Sequence, residues 1–264
     1  NESTVPAGWE LDDVSCNVPF TQTGSEIEVT LEYGDEGECV YTNAELAPAT
    51  LTVVKEDEPS TWDPAFDFNA SGTGLVAPGQ PGSQDFTLNL GDSQSFSVRP
   101  AAGGNTYTVT ESAPPSPPAG DSGFELTNVE CVVNGDTGNP ISGDTGTGVV
   151  EVDLEPGDDA VCTYTNKQLP RLRIVKNAVD PGDPADDTSF DYSATGLTPT
   201  NFSLKNSANN RAFTDVAPAA SFTVTEAAQP DWTLTSLECT GQGSPAVSTD
   251  VSSGQVSSTG LTYG

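Results

Sequence analysis

Tyr107-Thr-Val-Thr-Glu111 is the stretch of sequence that decides the fold, because it recurs 115 residues later as Phe222-Thr-Val-Thr-Glu226. Apolar and polar residues alternate in both copies, as they do in a strand with one buried and one wet face. Glu2 has no such strand before it, but the same features follow it as follow Glu111 and Glu226. These features are a large aromatic residue and then a cysteine, in the pairs Trp9 and Cys16, Phe124 and Cys131, and Trp232 and Cys239.

Two further blocks recur in the same order. Cys39-Val-Tyr-Thr-Asn43 returns as Cys162-Thr-Tyr-Thr-Asn166, and Leu51-Thr-Val-Val-Lys55 returns as Leu172-Arg-Ile-Val-Lys176. The spacings are 123 and 121 residues, so three blocks recur at nearly one spacing. Self-similarity at a fixed period is the sequence signature of tandem structural repeats. We therefore predict tandem domains.

The repeated blocks predict the domain boundaries. Residues 1–48 would be the C-terminal part of one repeat, residues 49–168 a complete repeat, and residues 169–264 a repeat that lacks its last strand. The tetrapeptide Leu261-Thr-Tyr-Gly264 matches Leu31-Glu-Tyr-Gly34, which in the first repeat continues to a cysteine and an asparagine. We interpret the chain as a window cut from a longer repetitive protein, with short proline-containing linkers that hold the repeats semi-rigidly in line.

The coarse pattern of the chain is all-β. Short alternating stretches rich in Val, Thr, Phe and Tyr are separated by Gly, Pro, Asp and Asn clusters, and no convincing helical period is present. Gly and Pro, at 26 and 21 residues of 264, stay below the fraction that favours disorder. We therefore predict β-sandwich domains.

Composition excludes several classes of function. The chain has 8 Lys+Arg against 39 Asp+Glu, a net charge of −31, which repels phosphate backbones and anionic bilayers, so we predict no nucleic-acid partner. No apolar run approaches the roughly 18 residues of a membrane span, so we predict no membrane insertion in this segment. The absence of His removes most hydrolytic triads and zinc sites, and the acidic loops lack a calcium-loop signature. We predict no cofactor, no metal and no enzyme.

The five cysteines fit the repeat frame as two pairs and one remainder. Cys16 pairs with Cys39 and Cys131 with Cys162, while the partner of Cys239 would lie beyond the end of the chain. Each disulfide would link strands of one sheet or bridge the two sheets. A thiolate metal site would need closely spaced pairs such as C-x-x-C, which are absent. Disulfides indicate an oxidising, extracellular setting.

Three polar residues occupy positions where the alternation predicts an inward side chain. Lys55 follows Leu51 and Val53 on one strand face, Glu111 extends another such row, and Asn166 a third. A buried, unpaired Lys or Glu is costly, so each needs a partner or must lose its charge. Two of the four lysines, Lys55 and Lys176, occupy equivalent inward positions.

At these residues the sequence resembles the prealbumin-like repeats of bacterial pilins and surface adhesin stalks, of the SpaA-like and collagen-adhesin B-type kind. The shared pattern is a Lys near the end of the first strand, a Glu in a Y-x-V-x-E-like strand, and an Asn that ends the last strand. The resemblance implies tandem Ig-like or prealbumin-like sandwiches. It also implies an isopeptide bond between Lys55 and Asn166, assisted by Glu111, with partial sets at Lys176 and Glu226 and at Glu2 and Asn43.

The resemblance and the repeats together predict a structural role. We expect a segment of a secreted filament or cell-surface stalk, built from crosslinked β-sandwich domains and contacting neighbouring copies or repeats of the same protein. The only chemistry expected is the autocatalytic isopeptide bond. The alternative is an adhesin array that binds a glycan or protein ligand.

Overall fold

The described part of the chain contains twenty β-strands and no helix, as the alternating patterns predict. The computed structural model describes residues 2, 5, 6, 8–75, 81–180, 182, 183, 186–241 and 247–263, so the predicted outer limits, Asn1 and Gly264, lie outside these residues. Among them no helix is long and apolar enough to cross a membrane. The chain divides into two compact units. Unit 1 comprises Asn1–Glu58, Asp63–Pro114 and Leu126–Thr165, and unit 2 comprises Pro59–Trp62, Pro115–Glu125 and Asn166–Gly264.

Thirteen strands are centred on unit 1. They are β1 (Trp9–Cys16), β2 (Phe20–Thr23), β3 (Glu26–Val29), β4 (Cys39–Glu45), β5 (Ala49–Lys55), β6 (Phe66–Thr73), β7 (Pro81–Leu88), β8 (Ser93–Val98), β9 (Asn105–Glu111), β10 (Phe124–Val133), β11 (Ile141–Ser142), β12 (Val149–Leu154) and β13 (Asp159–Gln168).

The middle repeat forms a sandwich of two sheets. One sheet has the strand order β11-β10-β13-β5-β8 and the other β12-β9-β6-β7. Alternate residues of β5, from Ala49 to Lys55, are buried, and so are Tyr107, Val109 and Glu111 of β9. The apolar rows that the sequence predicts to point inward therefore form the core between the sheets, and each row ends in a polar residue.

The first and last strands of the middle repeat lie side by side. β5 and β13 pair in parallel, with Thr50 opposite Asp159 and Lys55 opposite Tyr164. On its other side β5 pairs with β8, and that pair is antiparallel. The parallel contact brings the carboxyl ends of β5 and β13 to the same edge of the sheet.

Both disulfides link neighbouring strands within one sheet, which decides between the two arrangements that the sequence left open. Cys16 and Cys39 face each other across β1 and β4, with Cα atoms 4.1 Å apart. Cys131 and Cys162 join β10 to β13, with Cα atoms 3.9 Å apart. Cys239 is exposed and forms no disulfide with a described residue.

Unit 2 contains the remaining seven strands in two sheets. The two-stranded sheet has the order β14-β17 and the five-stranded sheet β16-β15-β18-β20-β19. A core of Phe190, Tyr192, Leu204, Phe213 and Phe222 lies within this unit. The strands are β14 (Leu172–Val175), β15 (Phe190–Thr195), β16 (Asn201–Leu204), β17 (Asn210–Phe213), β18 (Phe222–Glu226), β19 (Val247–Asp250) and β20 (Gln255–Ser258).

Among its described residues, unit 2 has no equivalent of the strands β1 and β10. Trp9–Cys16 and Phe124–Val133 are strands, but the equivalent residues 232–240 form none. The physical reason is the absence of a paired strand, because β1 pairs with β4 and β10 with β13, and no described residues of unit 2 supply an equivalent.

Candidate functional site

Lys55 is the last residue of β5, and its side chain points into the core of the middle repeat. The residue is fully buried, because it continues the inward row of Leu51 and Val53. Its Nζ donates a hydrogen bond to the carbonyl oxygen of Tyr164, 3.0 Å away, and lies 4.5 Å from the ring centroid of Phe66. The cation is thus held between a carbonyl dipole and an aromatic face, both of which attract positive charge.

Glu111 ends β9 on the opposing sheet and faces Lys55 across the core. The Oε2 atom of Glu111 lies 3.9 Å from Nζ of Lys55, and neither side chain is exposed. The strand end is fixed by the backbone, since the Glu111 N–H donates to the carbonyl oxygen of Gly148 at 2.9 Å. The structure therefore brings together the two charged residues that the sequence predicts.

Asn166 lies on β13, two residues beyond Tyr164. Tyr164 is the residue directly opposite Lys55, and alternate residues of a strand share a face, so Asn166 follows Tyr164 on the inward face. The Asn166 residue is fully buried. The parallel pairing of β5 and β13 therefore sets the Lys and the Asn near the same ends of neighbouring strands.

Burial dominates the electrostatics of this site. Desolvation lowers the pKa of Lys55 from 10.5 to about 8, against the opposing attraction of Glu111, Glu56 and Glu58. Desolvation and the nearby Glu111 charge also raise the pKa of Tyr164. A lysine with a lowered pKa supplies more of the neutral amine, which alone has the lone pair that a nucleophile needs.

The third repeat contains an equivalent pair within unit 2. Nζ of Lys176 lies 2.8 Å from Oε1 of Glu226 and 4.0 Å from the ring centroid of Phe190. The Tyr192 hydroxyl donates to the other carboxylate oxygen of Glu226 at 2.6 Å. The pair is only slightly exposed.

The first repeat holds the complementary partial set. Asn43 donates from Nδ2 to Oε1 of Glu2 at 2.8 Å. Glu2 Oε2 and Asn43 Oδ1 are buried and find no hydrogen-bond partner among the described residues. The carboxylate and the amide of this set are therefore in contact with each other.

Two features of the site escaped the sequence analysis. Phe66-Asp-Phe-Asn-Ala70 returns as Phe190-Asp-Tyr-Ser-Ala194, and this fourth repeated block supplies the ring beneath each lysine. Gly148 and Gly254 have φ of +71° and +64°, and their carbonyl oxygens accept from the N–H of Glu111 and Glu226. The repeated block could have been found in the sequence. The two glycines could not, because they follow their glutamates at different sequence separations.

No group of three or more His, Cys, Asp or Glu side chains in the described ranges is arranged to hold a metal ion. Unit 2 contains a cleft of about 1960 Å³, lined by β14, by the strandless residues 232–241 and by Val224, Glu226 and Lys176.

The sequence profile of the prealbumin-like fold domain matches residues 48–168 and again residues 172–263. No curated protein sequence matches the chain.

Among solved structures, a pilus-presented adhesin is 16 % identical over 47 % of this chain and 28 % of its own length, with a TM-score of 0.29. A major pilin from Streptococcus pyogenes is 20 % identical over 63 % of this chain and 66 % of its own, with a TM-score of 0.35. The shaft pilin of Lactobacillus rhamnosus GG is 12 % identical over 70 % of this chain and 89 % of its own, with a TM-score of 0.27. The chain thus spans less than two thirds of the first two proteins. All three TM-scores are below 0.5, so only the profile match assigns the chain.

Proposed function

Because the chain belongs to the family of prealbumin-like fold domains, we propose that it is a structural segment of an extracellular bacterial filament or stalk. Its domains would be the three predicted repeats, residues 1–48, 49–168 and 169–264. Its partners would be copies or repeats of the same protein. The adhesin alternative is not favoured by the family match.

The observation that carries this proposal is the buried Lys55–Glu111 pair with Asn166 on the neighbouring strand. An ion pair inside a core is weak evidence for stability, because desolvation offsets most of the attraction. The arrangement is better explained if these residues form a covalent bond. The proposed bond is an amide between Nζ of Lys55 and Cγ of Asn166.

The chemistry balances within the protein. The neutral Lys55 amine attacks Cγ of Asn166, the Cγ–Nδ2 bond breaks, and the Asn166 nitrogen leaves as ammonia. Glu111 takes the proton that leaves the attacking amine and delivers a proton to the departing nitrogen. No cofactor or external catalyst is needed for this step, so the protein would act once on itself.

Intact mass tests the crosslink. One amide bond removes about 17 Da from the chain, in addition to the hydrogens lost to disulfides. We expect this loss in the wild-type chain and its absence in Glu111→Ala and Lys55→Met. Lys205→Met is the matched control, because Lys205 pairs with Asp187 at a partly exposed position in unit 2 and should leave the loss unchanged. A wild-type mass that lacks only the disulfide hydrogens would refute the bond.

Electron microscopy of the native material tests the structural role. A filament or stalk appears as a beaded fibre on the cell surface, whereas a dispersed monomer does not. The two disulfides of the chain support a setting outside the cytoplasm, since such bonds persist in oxidising compartments. Antibody labelling confined to the cytoplasm would contradict the proposal.

A further inference from the structure

A second cluster of polar side chains lies at the end of β13, and the isopeptide chemistry makes no use of it. Gln168 is the last residue of β13 and is only 4 % exposed, because it follows Asn166 on the inward face of that strand. Thr61 and Ser122 contact its side-chain amide, and Asp121 contacts Thr61. All of these residues belong to unit 2.

The Thr61 hydroxyl lies against the side-chain amide of Gln168. Oγ1 of Thr61 is 2.8 Å from Nε2 and 3.2 Å from Oε1 of Gln168. Because Cδ is bonded to both of these atoms, it lies at a similar distance from Oγ1, in the range of roughly 3–3.5 Å from which a nucleophile can attack. The hydroxyl is therefore next to the electrophilic carbon of the amide.

Asp121 is positioned to take the proton of this hydroxyl. Oγ1 of Thr61 donates to Oδ1 of Asp121 at 3.0 Å, which is the reach that a general base needs. The guanidinium of Arg171 donates to the same carboxylate oxygen at 2.5 Å and so fixes its position. A threonine hydroxyl is a weak nucleophile until an adjacent base activates it.

Hydrogen bonds also orient and polarise the amide. The backbone N–H of Thr61 donates to Oε1 of Gln168 at 3.0 Å, where negative charge would develop during an attack on Cδ. Nε2 of Gln168 donates to the carbonyl oxygen of Ser122 at 3.2 Å, and this contact identifies the nitrogen end of the amide. A nucleophile, a base and a donor to the developing oxyanion thus converge on one buried amide.

We propose that Thr61 and Gln168 form an intramolecular ester bond, with Asp121 as the base. Oγ1 of Thr61 attacks Cδ of Gln168, and the Cδ–Nε2 bond breaks. The hydroxyl proton passes to Asp121 and from there to the departing nitrogen, which leaves as ammonia, so the carboxylate is regenerated. The ester would tie the segment that follows β5 to the end of β13.

The amide that this reaction needs is not a general feature of the repeats. In the repeat frame Cys39 corresponds to Cys162, so Glu45 of the first repeat occupies the position of Gln168. A carboxylate has no amine to lose, and Glu45 instead forms an ion pair with Arg99. The proposed ester is therefore specific to the middle repeat among these two.

Intact mass of the reduced 264-residue chain tests the ester independently of the isopeptide bond. Lys55→Met cannot form the isopeptide bond, so we expect it to retain a loss of about 17 Da from the ester. The wild-type chain should lose about 34 Da, because the two ammonia losses add. Thr61→Val should remove only the loss that belongs to the ester, so either bond can fail without the other.

Variants of the cluster, made in the chain without the isopeptide lysine, assign the bond. Gln168→Met and Thr61→Val should each abolish the remaining loss. Thr61→Ser keeps a hydroxyl and should retain it, which a merely structural role of the threonine would not predict. Asp121→Asn should slow formation of the ester by roughly a hundredfold or more, because the base is removed.

A hydroxyl–carboxylate pair elsewhere in the chain supplies the matched controls. Oγ1 of Thr106 on β9 donates to Oδ1 of Asp153 on β12 at 2.5 Å. Thr106→Val and Asp153→Asn should therefore leave both ammonia losses unchanged.

Hydroxylamine distinguishes the ester from an amide crosslink, because it cleaves esters and leaves amides intact. In a tryptic digest of the reduced wild-type chain, we expect residues 168–171 to be joined to the peptide that contains Thr61, and hydroxylamine should release them as the hydroxamate of Gln168. A Lys55→Met chain of full mass would overturn the proposal. A loss that survives Thr61→Val in that background, or a crosslink at Gln168 that resists hydroxylamine, would overturn it as well.

Discussion

Single residues define the candidate site, and the sequence predicts them better than it predicts their surroundings. Lys55, Glu111 and Asn166 stand out because each places a polar group in an apolar row, and all three are buried. The Tyr164 carbonyl that accepts from Lys55 could not be predicted, because it depends on the register of β5 against β13. Long-range register is set by packing across the whole sheet rather than by local pattern.

The lowered pKa of Lys55 predicts a dependence of stability on pH. In Asn166→Ala, which cannot form the amide, we expect the Lys55 pKa to stay at about 8 in the folded state, against 10.5 in the unfolded chain. Between these values the unfolded chain binds more protons, so the free energy of unfolding rises with pH, by roughly 2–4 kcal/mol in total. Scanning calorimetry across this pH range measures the rise.

The control for this prediction is the double variant N166A/K55M, which has no amine at the site and should lack the rise. Wild-type protein that has formed the amide should lack it as well, because the crosslinked nitrogen no longer titrates. Equal pH profiles for N166A and N166A/K55M would contradict the assignment to Lys55.

At the scale of the element, the sequence predicts strands correctly where apolar and polar residues alternate strictly. The prediction is wrong where a segment has no neighbouring strand to pair with. Residues 232–240 repeat the pattern of β1 and β10 but form no strand, because a strand in water needs a neighbour for its backbone groups. The turn that positions Glu111 could not be predicted from the sequence either, because its conformation depends on the close approach of Gly148 to β9. The sequence pattern predicts that a segment tends to form a strand, and pairing with a neighbouring strand decides whether it does.

Gly148 should be irreplaceable in this turn. A Cβ added there would lie 2.2 Å from the carbonyl oxygen of Glu111, and φ is +71°. Gly157 has φ of +89° but only a contact at 3.8 Å, so Gly157→Ala isolates the backbone strain, about 1–2 kcal/mol. We expect Gly148→Ala to raise hydrogen exchange in residues 105–111 far more than Gly157→Ala does. Equal exchange in the two variants would show that the steric contact is unimportant.

At the scale of the whole molecule, the alternating patterns predict the all-β class and the repeated blocks predict the tandem organisation. The net charge of −31 keeps separate copies apart at long range and favours solubility.

The thiol count of the intact molecule checks its redox state. We expect one reactive thiol per unreduced, denatured chain, from Cys239, and five after reduction, because Cys16, Cys39, Cys131 and Cys162 are bonded. Cys239→Ser should reduce the first count to zero. Five reactive thiols before reduction would contradict both disulfides.

The parallel pairing of β5 with β13 has a mechanical consequence. The chain enters the middle repeat at the start of β5 and leaves it at the end of β13, so tension along the polypeptide pulls these neighbouring strands in opposite directions along their own axes. Their backbone hydrogen bonds are then loaded in shear, all at once, instead of being unzipped one after another. A repeat with this geometry resists extension through the hydrogen bonds between β5 and β13, independently of any covalent crosslink.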